Sequence, residues 1–431
     1  MIRVEANCDD SGVAEGVIGM RTDPKVLLVG YNGANNTGAE ALLLVDIADV
    51  QAVLGSGARL TIPALDPKNL ARYVAGVSGI EIAPLPTIFF STVRRLVREH
   101  DVVILVEGSA YMDTWTSALL WYFLWATRCA EAAGKPCLAY AVDAGQLRPL
   151  NRWLVRREAS KTELIVARSG AAADRLQGWG VHTRIEATAD NAFRFEPRPA
   201  DADWVEEVWP EVGAGLVGIA PVDFNLWPVV VRPWGRGQDC YRWPYYYSRS
   251  PARRAGSAAL AEGYARLADS MVERYDRSVA LICMEQVDEV LSEHIHARML
   301  HPDRARVFSS REHDASRMTV LLRSPGALVT SRYHASVLSL AAAVPQVAVG
   351  HDLRLRTLYD ELGLQGLFVP PDAAMFDSAR DAVEGLLTDP GLVRDRLRRG
   401  FGHHLAAARR NPELLSAFLH EHGWGERAWA A

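Results

Sequence analysis

Two side chains able to grip an anion and move a proton stand two positions apart at Arg332 and His334. A guanidinium forks onto phosphate or carboxylate, and an imidazole exchanges a proton near neutral pH. The apolar run Ala327–Thr330 precedes them, and the small-residue stretch Ala335–Ala343, free of Gly and Pro, follows. Pro345 stops that stretch, and Gln346–Val349 is again of strand type. Strand, turn, helix and strand make a parallel crossover unit. Open parallel sheets hold ligands beyond the carboxyl ends of their strands, where the next helix points free N–H groups outward. Arg332 and His334 therefore belong to an expected ligand edge. Glu107 closes the apolar run Asp101–Gly108 in the same way and is a candidate acid, base or hydroxyl-binding group. Asp190, in the turn Asp190-Asn191-Ala192-Phe193, is a further carboxylate candidate. Each of these residues also has a plain structural reading as part of a scaffold turn.

The elements that must position them follow one pattern. Lys25–Gly30 reads as a buried strand, Tyr31–Gly38 as a turn rich in Gly and Asn, and Ala39–Leu54 as a helix. The turn lacks the dinucleotide spacing of glycines and the Lys-Ser/Thr of a phosphate loop. Its functional reading is a lining loop that offers backbone N–H groups and the Asn35 and Asn36 amides to a polyhydroxyl or anionic ligand. Residues 224–251 break the pattern with Trp227, Trp234, Tyr241, Trp243 and three consecutive tyrosines among Arg232, Arg236, Arg242 and Arg249. So long an irregular stretch, rich in aromatics, predicts an ordered functional loop. Flat aromatic faces suit sugar rings, so Trp227 and Trp234 are candidate acceptor contacts in a lid over a cleft. The rival reading is a subunit interface in a homo-oligomer.

At 431 residues the chain calls for more than one core. A net charge of −5 argues against nucleic acid as a partner. Five cysteines without a C-x-x-C pair, no zinc-ligand spacing and no apolar stretch in the first twenty residues lead us to expect reduced thiols, no metal and a cytoplasmic protein. Ser117–Ala126 is strongly apolar but shorter than the roughly 20 residues a bilayer needs, and reads as a core or interface helix.

Arg-Tyr-His-Ala at 332–335, the small apolar helix, Val-Pro, and His-Asp-Leu-Arg at 351–354 resemble the C-terminal signature of the polysaccharide pyruvyl transferase family. Further similarities run in order: Gly38-Ala39-Glu40-Ala41, the strand ending at Glu107-Gly108, Asp143 to Pro149, Leu164–Ser169, and Asp190–Phe193. The sequence departs from the family pattern at Ala39, where an acidic residue is usual, at Glu107 and Ser109, which replace glycines, and at Arg354, which replaces lysine. The resemblance implies an α/β protein with two doubly wound Rossmann-like domains facing a cleft, similar to GT-B enzymes. The layout expected is a tail (1–23), an acceptor-side domain (24–200), a donor-side domain (201–378) carrying the insert, and C-terminal helices (379–431) packing back on the first domain.

The activity it implies is transfer of a pyruvyl group, as ketal or enolpyruvyl, from phosphoenolpyruvate to hydroxyls of a sugar or polyhydroxyl acceptor, free or lipid-linked. Arg332, Tyr333, Arg232 and Arg354 are then the expected donor contacts, with Arg236 a rival to Arg232. Asp288 matches a family aspartate, and Glu285 at the strand end is its rival for ligand contact. His334 and Glu107 are the expected catalytic groups, with His334 as acid or base left open. No step needs a cofactor or metal. Two alternatives stay open: a nucleotide-sugar glycosyltransferase, and a binding protein with a decayed site. The helix after His334 lacks the carboxylates that many retaining glycosyltransferases carry there.

Overall fold

Seven apolar runs of the first half pair into one parallel sheet: β1 (Lys25–Val29), β2 (Arg59–Ala64), β3 (Ile80–Pro84), β4 (Val102–Leu105), β5 (Cys137–Val142), β6 (Leu164–Ala167) and β7 (Arg184–Ala187). Their order is β3-β2-β1-β4-β5-β6-β7. Helices α1 (Thr37–Leu54), α2 (Pro67–Tyr73), α3 (Phe90–Glu99), α4 (Ser117–Ala132), α5 (Pro149–Ala159) and α6 (Gly170–Gly178) connect them. Strands such as β4 and β6 are buried along their whole length, which is why they read as continuous Val, Ile and Leu runs rather than alternating ones. This computed structural model describes residues 24–212, 215–227, 229–237, 241–247 and 250–425; the expected tail (1–23), Arg249 and Trp429 lie outside the described residues.

After the short helix α7 (Trp204–Val208), a second sheet begins with β8 (Leu216–Ala220). The hairpin β9 (Val230–Val231) and β10 (Tyr245–Tyr246) stands apart from it, and the sheet continues with β11 (Ser278–Cys283), β12 (Ala305–Ser309), β13 (Ala327–Thr330), β14 (Gln346–Val349) and β15 (Phe368–Val369). The order is β12-β11-β8-β13-β14-β15, with every pair parallel. Its helices are α8 (Pro251–Tyr275), α9 (Glu289–His296), α10 (Ala315–Arg323), α11 (Tyr333–Ser339), α12 (Leu353–Glu361) and α13 (Met375–Thr388). The strand order reverses between β1 and β4 in one sheet and between β8 and β13 in the other. These switch points open crevices at the strands' carboxyl ends.

Helix α1 is shared between two cores. Leu43, Ile47 and Val50 pack against the first sheet's core. Ala41, Leu42 and Val45 enter the second lobe's core beside Met318, Leu321 and Val337. A helix buried on both sides shows no amphipathic stripe. The boundary expected at 378/379 cuts through α13, which packs over β13 and β14 of the second sheet. Two helices follow, α14 (Gly391–Ala408) and α15 (Asn411–Glu421). Helix α15 lies on α1, β5 and β6, and its Leu415, Phe418 and Leu419 join the first lobe's core.

Polar contacts fix the two lobes along α1. The Asn35 Nδ2 amide donates to Gln286 Oε1 (2.6 Å), and the Thr37 N–H donates to the Met284 carbonyl (2.8 Å). Glu40 accepts from Arg72 Nη2 (2.7 Å) and from the Ala315 N–H (3.1 Å). Burial pushes the Glu40 carboxyl up to about 8, against the pull of Arg72. Its folded value lies above its unfolded one, so the stability it contributes is complete below 4.5 and lost as pH rises through about 8. The melting temperature is therefore expected to fall between about pH 4.5 and about pH 8, with Glu40→Gln flattening that slope. An equally steep slope in the variant, measured by differential scanning calorimetry, would remove Glu40 as its source.

Candidate active site at the interlobe cleft

The two crevices face each other and enclose a cavity of about 650 Å³, counted with its mouth. Each wall comes from a strand's carboxyl end. Tyr31 and Asn36 follow β1, Glu107 and Ser109 follow β4, Glu285 follows β11, and Arg332, Tyr333 and His334 follow β13. Arg354 enters from the start of α12, and Trp227 and Tyr241 enter from the aromatic insert. Asn36 caps α1, its side-chain oxygen accepting from the Ala39 N–H (3.0 Å). Thr330 sets the turn before the histidine, its hydroxyl accepting from the Arg332 N–H and donating to the Arg332 carbonyl, both at 2.9 Å.

His334 sits at the contact between lobes. A Cβ placed on Gly38, in the first turn of α1, would overlap its ring at Nδ1. Only glycine lets the helix N-terminus come this close. On the other edge, Nε2 is buried and 3.7 Å from Asp190 Oδ2, with no hydrogen bond at normal distance. Asp190 also accepts from Arg168 Nη1 (2.7 Å) and from the Ala192 N–H (2.8 Å). Burial opposes ionisation of Asp190, but Arg168 and His334 outweigh it and hold its carboxyl below the usual range. The Asp190 carboxylate thus stands at the Nε2 edge of the ring, while Nδ1 faces Gly38 on the α1 wall. Glu107 is a second titratable residue on the wall. Burial raises its carboxyl above the ordinary value, against His334 and the Ser109 N–H, which donates to it at 3.1 Å.

The arginines around this cavity are matched by carboxylates. Arg332 donates to both oxygens of Asp288 (2.9 and 2.5 Å) and to Glu285 (3.0 Å). Burial holds the Asp288 carboxyl up at about 6 even so. Arg354 donates to Asp352 (2.6 Å) and Ser109 (3.2 Å), with its guanidinium over the rings of Trp115 and Tyr333. Arg168 bridges Asp143 (2.8 Å) and Asp190, and stacks over Tyr333 (4.3 Å). Gly108 admits it, since a Cβ there would overlap the guanidinium.

A family model described as polysaccharide pyruvyl transferase matches residues 50–352. The chain belongs to this family. No curated protein matches it. Solved structures similar in fold include the putative UDP-N-acetylglucosamine 2-epimerase of Listeria monocytogenes (13% identity, 95% of this chain and 100% of that one, TM-score 0.61). Others are the UDP-GlcNAc 2-epimerase of Neisseria meningitidis bound to UDP-GlcNAc (10%, 92% and 100%, 0.60) and Anabaena HepE in complex with UDP (12%, 92% and 100%, 0.56). At such identities they establish a shared GT-B-type architecture of two facing α/β lobes.

In this member of the family the cavity gathers His334, Glu107, Arg332, Tyr333, Arg354, Asn36 and Trp227 from the residues expected at the site. Asn35 is not among its walls, because its amide is engaged by Gln286 and Asn69 between the lobes. Arg232 turns into the β9–β10 hairpin, donating to the Tyr247 carbonyl (3.0 Å) and lying over Tyr246. Trp234 is 76% exposed and stands clear of the cavity. Both are held away by the hairpin, whose register no propensity rule supplies. Arg168, outside the set expected at the site, backs it through Asp190 and Tyr333. It ends an apolar strand just as Glu107 does, and that same signal would have singled it out.

Gly38→Ala is expected to push the His334 ring off the α1 wall. The imidazole Cε1–H resonance should shift while far-UV circular dichroism stays unchanged. An unmoved resonance would mean that the ring does not depend on this glycine.

Proposed function

We propose that the chain transfers a pyruvyl group from phosphoenolpyruvate to hydroxyls of a sugar-like acceptor, releasing phosphate. The observation that carries this reading is a histidine backed by a buried carboxylate on the same cavity as a glutamate biased by burial towards its protonated form. Glu107 gives its proton to C3 of the enol. The acceptor oxygen bonds to C2 and passes its proton to Nδ1 of His334, while Asp190 stabilises the imidazolium. The C2–O bond to phosphate then breaks, and the phosphate departs with its electron pair and takes the proton from His334. A second acceptor hydroxyl adds to the cationic C2, its proton restoring Glu107 through His334, and the ketal is complete. One acceptor hydroxyl and deprotonation at C3 would give the enolpyruvyl ether instead.

Arg354 is the proposed donor cation. It has one carboxylate partner, Asp352, which a substrate carboxylate can replace in the fork, and Tyr333 supports its guanidinium from below. Arg332, held by two carboxylates, we assign to fixing Glu285 and the turn that presents His334. Trp227 and Asn36 are the proposed acceptor contacts.

Phosphate release from phosphoenolpyruvate, followed with a panel of sugars and glycosides, tests the reading. His334→Ala and Glu107→Gln should each lower kcat by about 10²–10⁴-fold, and Arg354→Ala should chiefly raise KM for phosphoenolpyruvate. Turnover should decline on the alkaline side as Glu107 ionises. The group is raised, so this loss comes at a higher pH than for an ordinary carboxylate. Full turnover by His334→Ala would sink the assignment. UDP-glucose binding without phosphate release from any acceptor would favour nucleotide-sugar transfer, the fold being shared with a protein solved with that ligand.

A further inference from the structure

A second chamber adjoins the candidate site cavity, and no step above uses it. Tyr31, Leu119 and Tyr241 line both spaces, so only side chains separate them. The chamber encloses about 590 Å³, counted with its mouth. Its remaining walls include Leu85, Pro86, Phe89 and Tyr122, and no charged side chain lines it among the described residues. Phe89 and Tyr122 meet edge to face at 5.4 Å, giving a rigid aromatic wall. The Tyr122 hydroxyl is buried without a hydrogen-bond partner. Leu65, Leu85, Pro86 and Thr87 also line a neighbouring open groove beside Arg242 and Trp243.

A sugar within a polysaccharide carries hydroxyls and neighbouring sugars on every side. Placed in this chamber it would lose water from those hydroxyls and find few partners for them, at a cost of about 1–3 kcal/mol per unmatched group. An aromatic ring or alkyl chain loses nothing polar there and gains by burial. We propose that the chamber is an acceptor subsite for an apolar group attached next to the reacting hydroxyls. The acceptor would then be a glycoside or polyol bearing an aryl or alkyl substituent. The proposal rests on the pyruvyl transfer reading for its chemistry and on the chamber alone for its selectivity.

The test compares D-galactose and D-glucose with their phenyl, octyl and dodecyl β-glycosides. Binding to the full-length protein is measured calorimetrically without phosphoenolpyruvate, and phosphate release is measured with it. Leu85→Glu places a charge in the chamber and Thr87→Trp fills it; neither residue lines the catalytic cavity. The phenyl or octyl glycosides should bind at least ~10-fold more tightly than the free sugars. Both variants should erase that advantage while leaving phosphoenolpyruvate binding unchanged. A gain that continues from octyl to dodecyl marks a lipid chain running into the groove, and one complete at phenyl marks a compact aglycone. Equal binding of free sugar and glycoside, or an advantage that survives both variants with the fold intact, overturns the proposal. If glycosides bind as expected but no phosphate is released, the subsite stands and the pyruvyl transfer reading fails.

Discussion

The close approach of Gly38 to His334 is the contact on which the rest depends. Gly38 belongs to the first lobe and His334 to the second, so the imidazole can keep its place only while the lobes keep theirs. Helix α1 enforces this by contributing to both cores, with Leu43 and Ile47 on one side and Leu42 and Val45 on the other. Its N-terminus is thereby driven into the cleft. The Asn35–Gln286 and Thr37–Met284 hydrogen bonds add direction to a packing force that has none. A helix anchored in this way transmits any shift between lobes directly to the histidine.

Around that contact the protein buries an unusual density of charge. Arg168 pairs with Asp143 and Asp190, Arg332 with Glu285 and Asp288, and Arg354 with Asp352, so each guanidinium already holds a carboxylate. Buried ion pairs of this kind contribute little net stability, because desolvation cancels most of their attraction. Their value here is positional. Arg168 fixes Asp190, Asp190 fixes the Nε2 edge of His334, and Arg332 fixes Glu285 across from Tyr31. A scaffold whose arginines already hold carboxylates can receive an anion by exchanging one partner, as proposed for Arg354, without first exposing a bare cation to water.

The aromatic insert closes this arrangement. Trp227 meets Trp115 edge to face at 4.8 Å, and the Val229 N–H donates to the Trp115 carbonyl (2.9 Å). The insert therefore spans the mouth between lobes instead of projecting from one of them. Arg232 is used inside the hairpin, while Trp227 and Tyr241 reach the cavity. A charged residue in such a loop is a poor guide to where the charge ends up.

Much of this was legible from residue order alone. Short apolar runs alternating with helices determined parallel sheets, and the polar residues at the runs' ends, Glu107, Arg332 and His334, determined which side chains reach the ligand edge, because strand direction and crossover handedness leave a chain little choice. Four outcomes belonged to tertiary structure: that α1 is shared by two cores, that Arg332 is spent on Asp288 and Glu285, that Arg232 and Trp234 miss the cavity, and that an apolar chamber adjoins it. Each depends on side chains from segments tens or hundreds of residues apart, and their meeting is decided by packing volume and charge matching, which no local pattern encodes.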